Sequence, residues 1–416
     1  MIVLFLTKLE EGIIFGILIK PIIDTSWDVS FGGIRVVEAF TVLYLIFALQ
    51  YCYKNKLFAL NDKMLTLFWV IAHFGIIFQF LQSPPEAIKS IMKMVYLPIS
   101  FVLLPYLLLY SEVETQKKVI KYVLIGALFS ALISIFQFIG FIPYEFEHMT
   151  KGLQRSNGFY HDMVTSRINI MQGLLGLVYL KVTNILNVKP WVIWALLLIF
   201  VFSGYTLFSK ALIGMFLVGL ILLITTLKQE TKNYAIGFFI FIAFLVTNFE
   251  TVVNSTSTLF LTELEYQDGN LDNSGQLFSG RGSVWEEYLA MYSSLSTIEK
   301  TFGMGINSGN THNEFLRVLM LTGILGLIGY TLFVFRIIYL AITNFHRKKV
   351  LLLTTFSLSM LIIDILGVVW GLYPFYLVII LGFFSVAINY ESDSEEEFEL
   401  DEDYEESYDG EYEVAN

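Results

Sequence analysis

The amino-acid sequence predicts an all-α polytopic membrane protein with about twelve transmembrane helices, eleven being the lower count. Three observations predict it. First, 56% of the 416 residues are hydrophobic and only 15% are charged, with a mean hydropathy of +0.67. A soluble domain of this length cannot hide so much apolar surface. Second, the apolar residues come in long runs. Segments 191–205 and 211–227 are apolar on every face, which excludes a barrel, whose strands would alternate over about 10 residues. In lipid only helices and closed barrels satisfy every backbone amide. Third, Lys and Arg concentrate in alternate loops, as expected where one set of loops stays in the cytoplasm.

Taken in order, the predicted helices span 3–20, 36–53, 64–82, 91–110, 119–141, 168–183, 190–206, 209–227, 233–249, 313–341, 350–366 and 371–389. The first is the weakest, because Lys8, Glu10 and Glu11 interrupt it. The same interruption, with no small-residue cleavage site after it, argues against a cleavable signal peptide. The basic loops carry Lys54, Lys56 and Lys63; Lys117, Lys118 and Lys121; Lys181 and Lys189; Lys228 and Lys232; and Arg347, Lys348 and Lys349. They are expected in the cytoplasm, and with twelve helices both termini are too. The chain thus divides into helices one to nine (1–249, with an outer loop at 142–167), a large extracytoplasmic loop (250–312), helices ten to twelve (313–389) and a tail (390–416).

The net charge of −11 belongs to that tail: 14 of the 37 acidic residues lie in 391–416, which has no Lys or Arg. Such a segment is expected to be disordered and solvating. Cys52 is the only cysteine, so neither an intramolecular disulfide nor a cysteine metal site can form. The sequence has no internal repeat, no dinucleotide fingerprint and no Walker-type phosphate loop. No cofactor, metal or nucleic-acid partner is expected.

Two outer loops exceed a simple connection, and long loops tend to carry function. In the second, a turn-rich stretch at 268–275 precedes an amphipathic stretch, 283–295, with Trp285, Leu289 and Tyr292 at helical spacing. That stretch is expected to lie along the membrane surface. The outer face also holds cations that run against the positive-inside tendency: Arg35, Lys89, Lys151, Arg155, Arg167, Lys210, Arg281, Lys300 and Arg317. Arg281 sits between Gly280 and Gly282, where the backbone can approach a ligand and a guanidinium can present paired donors to a phosphate. Its other reading is an arginine reaching lipid headgroups. Lys210, at the outer start of a helix, is unfavourable for the helix dipole unless an anion accompanies it. With Arg155 and Arg167 it would complete a cationic funnel for a pyrophosphate-bearing substrate, headgroup contact being the alternative for each.

His312 follows a stretch containing Gly303, Gly305 and Gly309. Thr311 is expected to cap the next helix, which places His312 in its first turn. There the dipole would keep the imidazole neutral, suitable for a general base, and the other reading is a polar capping residue. His161, Asp162 and Glu314 match no metal-ligand spacing. His148, Glu145 and Glu147 read as exposed loop residues, His346 as part of a basic cytoplasmic loop, and His73 as a satisfied packing residue. Asp364, an intramembrane acid, is expected to pair with an outer cation. Gly323, Gly326 and Gly329 form a close-packing face.

The stretch 279–330 resembles the O-antigen polymerase and O-antigen ligase family of membrane glycosyltransferases. The resemblance rests on Arg281-Gly282 followed by Trp285, on Gly303-Met304-Gly305, on His312-Asn313-Glu314-Phe315-Leu316 and on the glycines from Gly323. Arg155-Ser-Asn-Gly158 looks like an earlier loop segment of that family, and the Tyr205–Ala211 region like its Ser-Arg segment, with Lys210 where arginine is usual. The charge is kept but the bidentate geometry is lost. The resemblance implies a glycosyltransferase C-like fold and a polyprenyl-pyrophosphate-linked oligosaccharide as donor. It also implies transfer on the outer leaflet without a divalent metal. It further implies catalytic roles for His312 and Arg281, His312 acting either as general base or, as imidazolium, as a ligand of the pyrophosphate, with pyrophosphate binding by Arg155, Lys210 and Arg167, and support from Asn313, Glu314, Gly303 and Gly305. The partners implied are the lipid-linked donor and acceptor, membrane lipid and a chain-length regulator protein. A ligase carrying finished glycan to a lipid or protein acceptor shares the same motifs. A flippase for lipid-linked sugars would spread charges through the helix centres, whereas here they gather at one face. A structural scaffold would leave the Arg281 and His312 contexts unexplained.

Overall fold

The computed structural model describes residues 2–32, 34–60, 62–144, 149–150, 152–215, 250–261, 265, 277–305, 311–347, 350–366 and 374–390. The expected helix 233–249, most of 209–227, the stretch 268–275, residues 145–148 and the tail 391–416 lie outside them, as do Gly309 and the side chain of Asp364. The described chain is all-α. The helices are α1 (Ile2–Thr7), α2 (Leu9–Ile23), α3 (Val36–Lys54), α4 (Lys63–Ala72), α5 (Ile76–Gln82), α6 (Pro84–Pro105), α7 (Val113–Phe138), α8 (Met163–Thr183) and α9 (Pro190–Thr206). They continue as α10 (Glu250–Leu259), α11 (Leu277–Ser293), α12 (Thr297–Phe302), α13 (Glu314–Thr343), α14 (Leu351–Leu366) and α15 (Pro374–Asn389). Two hairpins of two-residue strands, Ser30–Phe31 with Ile34–Arg35 and Met149–Thr150 with Leu153–Gln154, are the only sheet among the described residues.

Four helices are long and apolar enough to cross a membrane: Val36–Lys54, Ala87–Tyr110, Val113–Phe138 and Glu314–Thr343. Shorter apolar helices stand beside them at Lys63–Ala72, Trp191–Thr206, Leu351–Ile362 and Val378–Asn389. The exposed surface agrees. Along α13, Ile324, Ile328, Leu332, Phe335, Tyr339 and Ile342 are all exposed, a stripe at helical spacing that a water-facing helix would not carry.

The two ends of the bundle differ. At one, Glu11 pairs with Lys118, the Tyr51 hydroxyl donates to Glu10 Oε2 at 2.6 Å, and Arg336 bonds Asp62 at 2.7 Å. Arg347 donates to the carbonyl of Ile388 at 3.0 Å. These contacts join the starts of α2, α4 and α7 to the ends of α3, α13 and α15. At the other end α7 finishes beside the loop that follows it, and α9 finishes against the same loop.

Two expected helices are broken, each for a local reason. The first bends at Lys8, whose φ of −140° and ψ of 78° are not helical, so that Phe5 folds back onto Gly12. The expected helix 64–82 stops at Ala72 and resumes at Ile76. The gap admits two other segments: a Cβ on Gly75 would meet the Phe302 carbonyl and Thr322 Cα. Opposite it, α13 is fractured at Gly323, with φ 69° and ψ −167°. That left-handed backbone favours glycine, and a Cβ there would collide with the Thr301 carbonyl and Gly303 N. The carbonyls freed at the fracture are satisfied across it. Met304 N donates to Met320 O at 3.0 Å and Gly305 N to Leu321 O at 3.1 Å. Of the three glycines read as a packing face, Gly326 and Gly329 serve it by lying against Ile71 and Ala72 of α4. Gly323 is the break instead.

Candidate functional site

Three chain segments meet at the second end of the bundle. The loop after α7 is fixed by its neighbours. Gln137 donates to the Gly158 carbonyl at 2.9 Å and accepts from its N–H at 2.8 Å. The buried Tyr160 hydroxyl donates to the Pro21 carbonyl at 2.9 Å and contacts Ser130. Ser156 N donates to Thr206 O at 3.2 Å. Asp162 then caps α8, accepting from Thr165 N at 2.8 Å. Helix α8 starts five residues earlier than the expected 168, so Arg167 is not a loop residue. It enters the bundle in the second turn of α8 and is only 6% exposed. His161 stacks on Trp27 with ring centroids 4.1 Å apart.

The second segment is α11, longer than the expected 283–295. Arg281 and its flanking glycines are helical, so their role is not that of a flexible loop. Trp285 lies one turn after Arg281 on the same face, and its indole N–H donates to the Thr311 carbonyl at 2.5 Å. A capping box between Ser296 and Glu299 starts α12, and Lys300 donates to Ser293 O at 2.7 Å, closing α11 against α12.

The third segment carries His312. The cap of α13 is Asn313, whose Oδ1 accepts from Leu316 N at 3.2 Å. It is not Thr311, whose hydroxyl bonds the Asn313 carbonyl at 3.1 Å. The imidazole therefore lies outside the first helical turn. Its backbone has φ 48°, an uncommon conformation for a non-glycine residue and one that clusters at functional sites. The His312 pKa is held below its ordinary value by partial desolvation and then by the Arg281 charge.

The same electrostatics tie the arginines together. Burial lowers the Arg155 pKa, and Arg281 adds to it. Burial lowers that of Arg281, and Arg167 adds to it. Arg281 is thus the centre of a group comprising Arg155, Arg167 and His312. Three guanidiniums brought out of bulk water repel one another and gain most from a shared anion. Lys210 follows Ser209 and holds its ammonium 5.4 Å from the Phe260 ring. The supporting residues fall into two kinds. Gly303 and Gly305 have φ of 86° and 67° and form the strap against the α13 fracture. Glu314 is fully buried and takes a hydrogen bond of 2.9 Å from Arg317 Nε.

Other cations expected on the outer face have structural partners. Arg317 is matched by Glu314, Lys300 by Ser293, and Arg35 begins α3 in a capping box with Glu38. His73 bonds the Trp69 carbonyl at 3.0 Å. Two buried polar side chains, on the loop after α7 and near the end of α9, escaped the sequence reading. Asn157 is 2% exposed and Ser203 0%. Nothing in their local sequence marks them, since Asn beside Gly reads as turn chemistry. No family model and no curated protein matches the chain.

Proposed function

We propose that the chain is a polysaccharide polymerase of the bacterial cytoplasmic membrane. It transfers a glycan from a polyprenyl-pyrophosphate carrier to the terminal sugar of another lipid-linked repeat unit. The site faces outward and the acidic tail inward, as the basic loops require. The observation that supports this most is the grouping of Arg155, Arg167 and His312 around Arg281, with the His312 pKa held below its ordinary value by burial and the Arg281 charge. A pyrophosphate is a good leaving group once its charge is met, and preorganised donors aimed at developing charge are a large catalytic effect. His312 accepts the proton of the acceptor hydroxyl. The hydroxyl oxygen bonds to the anomeric carbon as the bond from that carbon to the pyrophosphate oxygen breaks. The electron pair leaves with the pyrophosphate, and direct displacement inverts the carbon.

The test uses purified protein, a synthetic polyprenyl-pyrophosphate repeat unit and gel analysis of the product, with and without EDTA. Wild type is expected to give a ladder that EDTA leaves unchanged. His312→Ala should lower the rate by roughly 10²–10⁴-fold and Arg281→Ala by a similar factor, ~10²–10³. A ladder that survives His312→Ala removes the general-base assignment. Single transfer to a lipid or protein acceptor, without a ladder, would identify a ligase.

A further inference from the structure

We propose that Asn157, with Ser203, forms the subsite that recognises the first sugar of the lipid-linked glycan, the residue joined directly to the pyrophosphate. The proposal rests on the anion-site reading above and adds to it what the neighbouring polar groups do.

The observation is a local failure of hydrogen bonding, which Asn157 shares with the neighbouring Arg155 Nε, in a loop whose other groups are tied down. Around Asn157, the Ser156 N–H is bonded to Thr206 and the Ser156 hydroxyl to Tyr144 at 3.2 Å. Both backbone groups of Gly158 are bonded to Gln137. The Asn157 side chain is different: among the described residues neither Nδ2 nor Oδ1 has a hydrogen-bond partner, and both are buried. The same holds for the Ser203 hydroxyl. The Ser156–Thr206 bond brings the Asn157 segment to the end of α9, where Ser203 lies one turn back and its carbonyl accepts from the Thr206 hydroxyl at 2.8 Å. Buried amides and hydroxyls are nearly always paired, because leaving one unpaired is costly. Two such residues on segments joined by the Ser156–Thr206 bond, one of them two positions from Arg155, mark a place built to be completed by something else.

The chemistry selects a sugar over the phosphate itself. A phosphate offers only acceptors, so it would satisfy Nδ2 and leave Oδ1 unmet. An adjacent pair of sugar hydroxyls, or an acetamido group, both donates and accepts, and meets both ends of the amide. Placement agrees. Asn157 is two residues from Arg155, at most about 7 Å along an extended chain. That is the separation expected between a phosphate and the hydroxyls of the sugar it carries. Both amide atoms are shut off from solvent, so the sugar reaches them by parting the loop from the end of α9. A site that hydrogen-bonds substrate hydroxyls also rejects analogues lacking them, so this pair would set which repeat units are accepted.

The experiment measures binding of the full-length purified protein to bare polyprenyl pyrophosphate and to the same carrier bearing one sugar. The sugars are glucose, galactose, N-acetylglucosamine and N-acetylgalactosamine. Wild type is expected to bind at least one glycosylated carrier 10-fold or more tighter than the bare one. Asn157→Ala should erase that increment while binding the bare carrier as wild type does, and Ser203→Ala should erase part of it. In thermal unfolding without ligand, Asn157→Ala should melt at the same or a higher temperature, because it removes an unsatisfied amide. An increment that survives Asn157→Ala overturns the subsite, as does a panel in which no sugar adds affinity. A lower melting temperature for Asn157→Ala shows a structural amide and overturns it too. If wild type fails to bind even the bare carrier, the anion site itself is wrong and the subsite falls with it.

Discussion

At the scale of residues, Arg281 would act twice in the proposed reaction: on the leaving group and on the base. Its charge is a cause of the depressed His312 pKa. Removing a neighbouring positive charge favours the protonated imidazole, so the pKa rises. In Arg281→Gln, His312 should therefore titrate at higher pH than in wild type, nearer the ordinary imidazole value of about 6.5. Exchange of the imidazole C2 hydrogen with deuterium, followed by mass spectrometry, reads this residue by residue. An unchanged midpoint would show that the two side chains do not interact. Arg281 and His312 were legible in the sequence because glycines and a tryptophan at fixed offsets frame them. The Asn157 amide was not, because its distinction is the absence of a partner, which only packing reveals. Nor was the cap: Thr311 and Asn313 are both good cap residues, and the choice depends on where Trp285 seizes the chain.

At the scale of elements, hydropathy located the helices and missed their breaks. Runs of apolar residues look continuous across 64–82 and 313–341, yet each is interrupted where another segment must fit. The glycines were visible, but their spacing of three also suits ordinary close packing, and only the φ of Gly323 separates the two roles. Gly323→Ala should be severe, since it combines a left-handed backbone with a collision against Thr301 and Gly303. A non-glycine residue held in so sparsely populated a backbone region alone costs on the order of 1–3 kcal/mol. The expected outcome is a clear drop in melting temperature in detergent and loss of polymer formation. Ile328→Ala, on the exposed stripe of the same helix, should change neither. Equal behaviour of the two variants would mean that the fracture is not needed.

At the scale of the whole molecule, the functional reading depends on the sidedness that the distribution of Lys and Arg leads one to expect. The bundle separates the same groups, with Glu10, Glu11, Lys118 and Arg336 joining helix ends opposite the arginine cluster. Cys52 is buried, so a Cys52→Ser background permits labelling from outside. Glu287→Cys on α11 should react with a membrane-impermeant maleimide on intact cells, and Lys56→Cys only after permeabilisation. The reverse pattern would put the site in the cytoplasm. The chain's ends were harder to read, because the first helix carries charges that pair within the protein and its bend at Lys8 follows from packing alone.

The fracture in α13 also bears on how the protein is made. The Thr322 hydroxyl closes onto the Ala72 carbonyl across 250 positions of sequence. At ribosomal rates of about 5–20 residues per second, that interval is roughly 10–50 s. During it the notch between α4 and α5 has been synthesised and its occupants have not. The strap, the broken helix and the histidine beside it therefore come together near the end of synthesis. If the proposed reaction is right, a half-made chain in the membrane holds Arg155 and Arg167 but no base, and would not act on lipid-linked glycans around it.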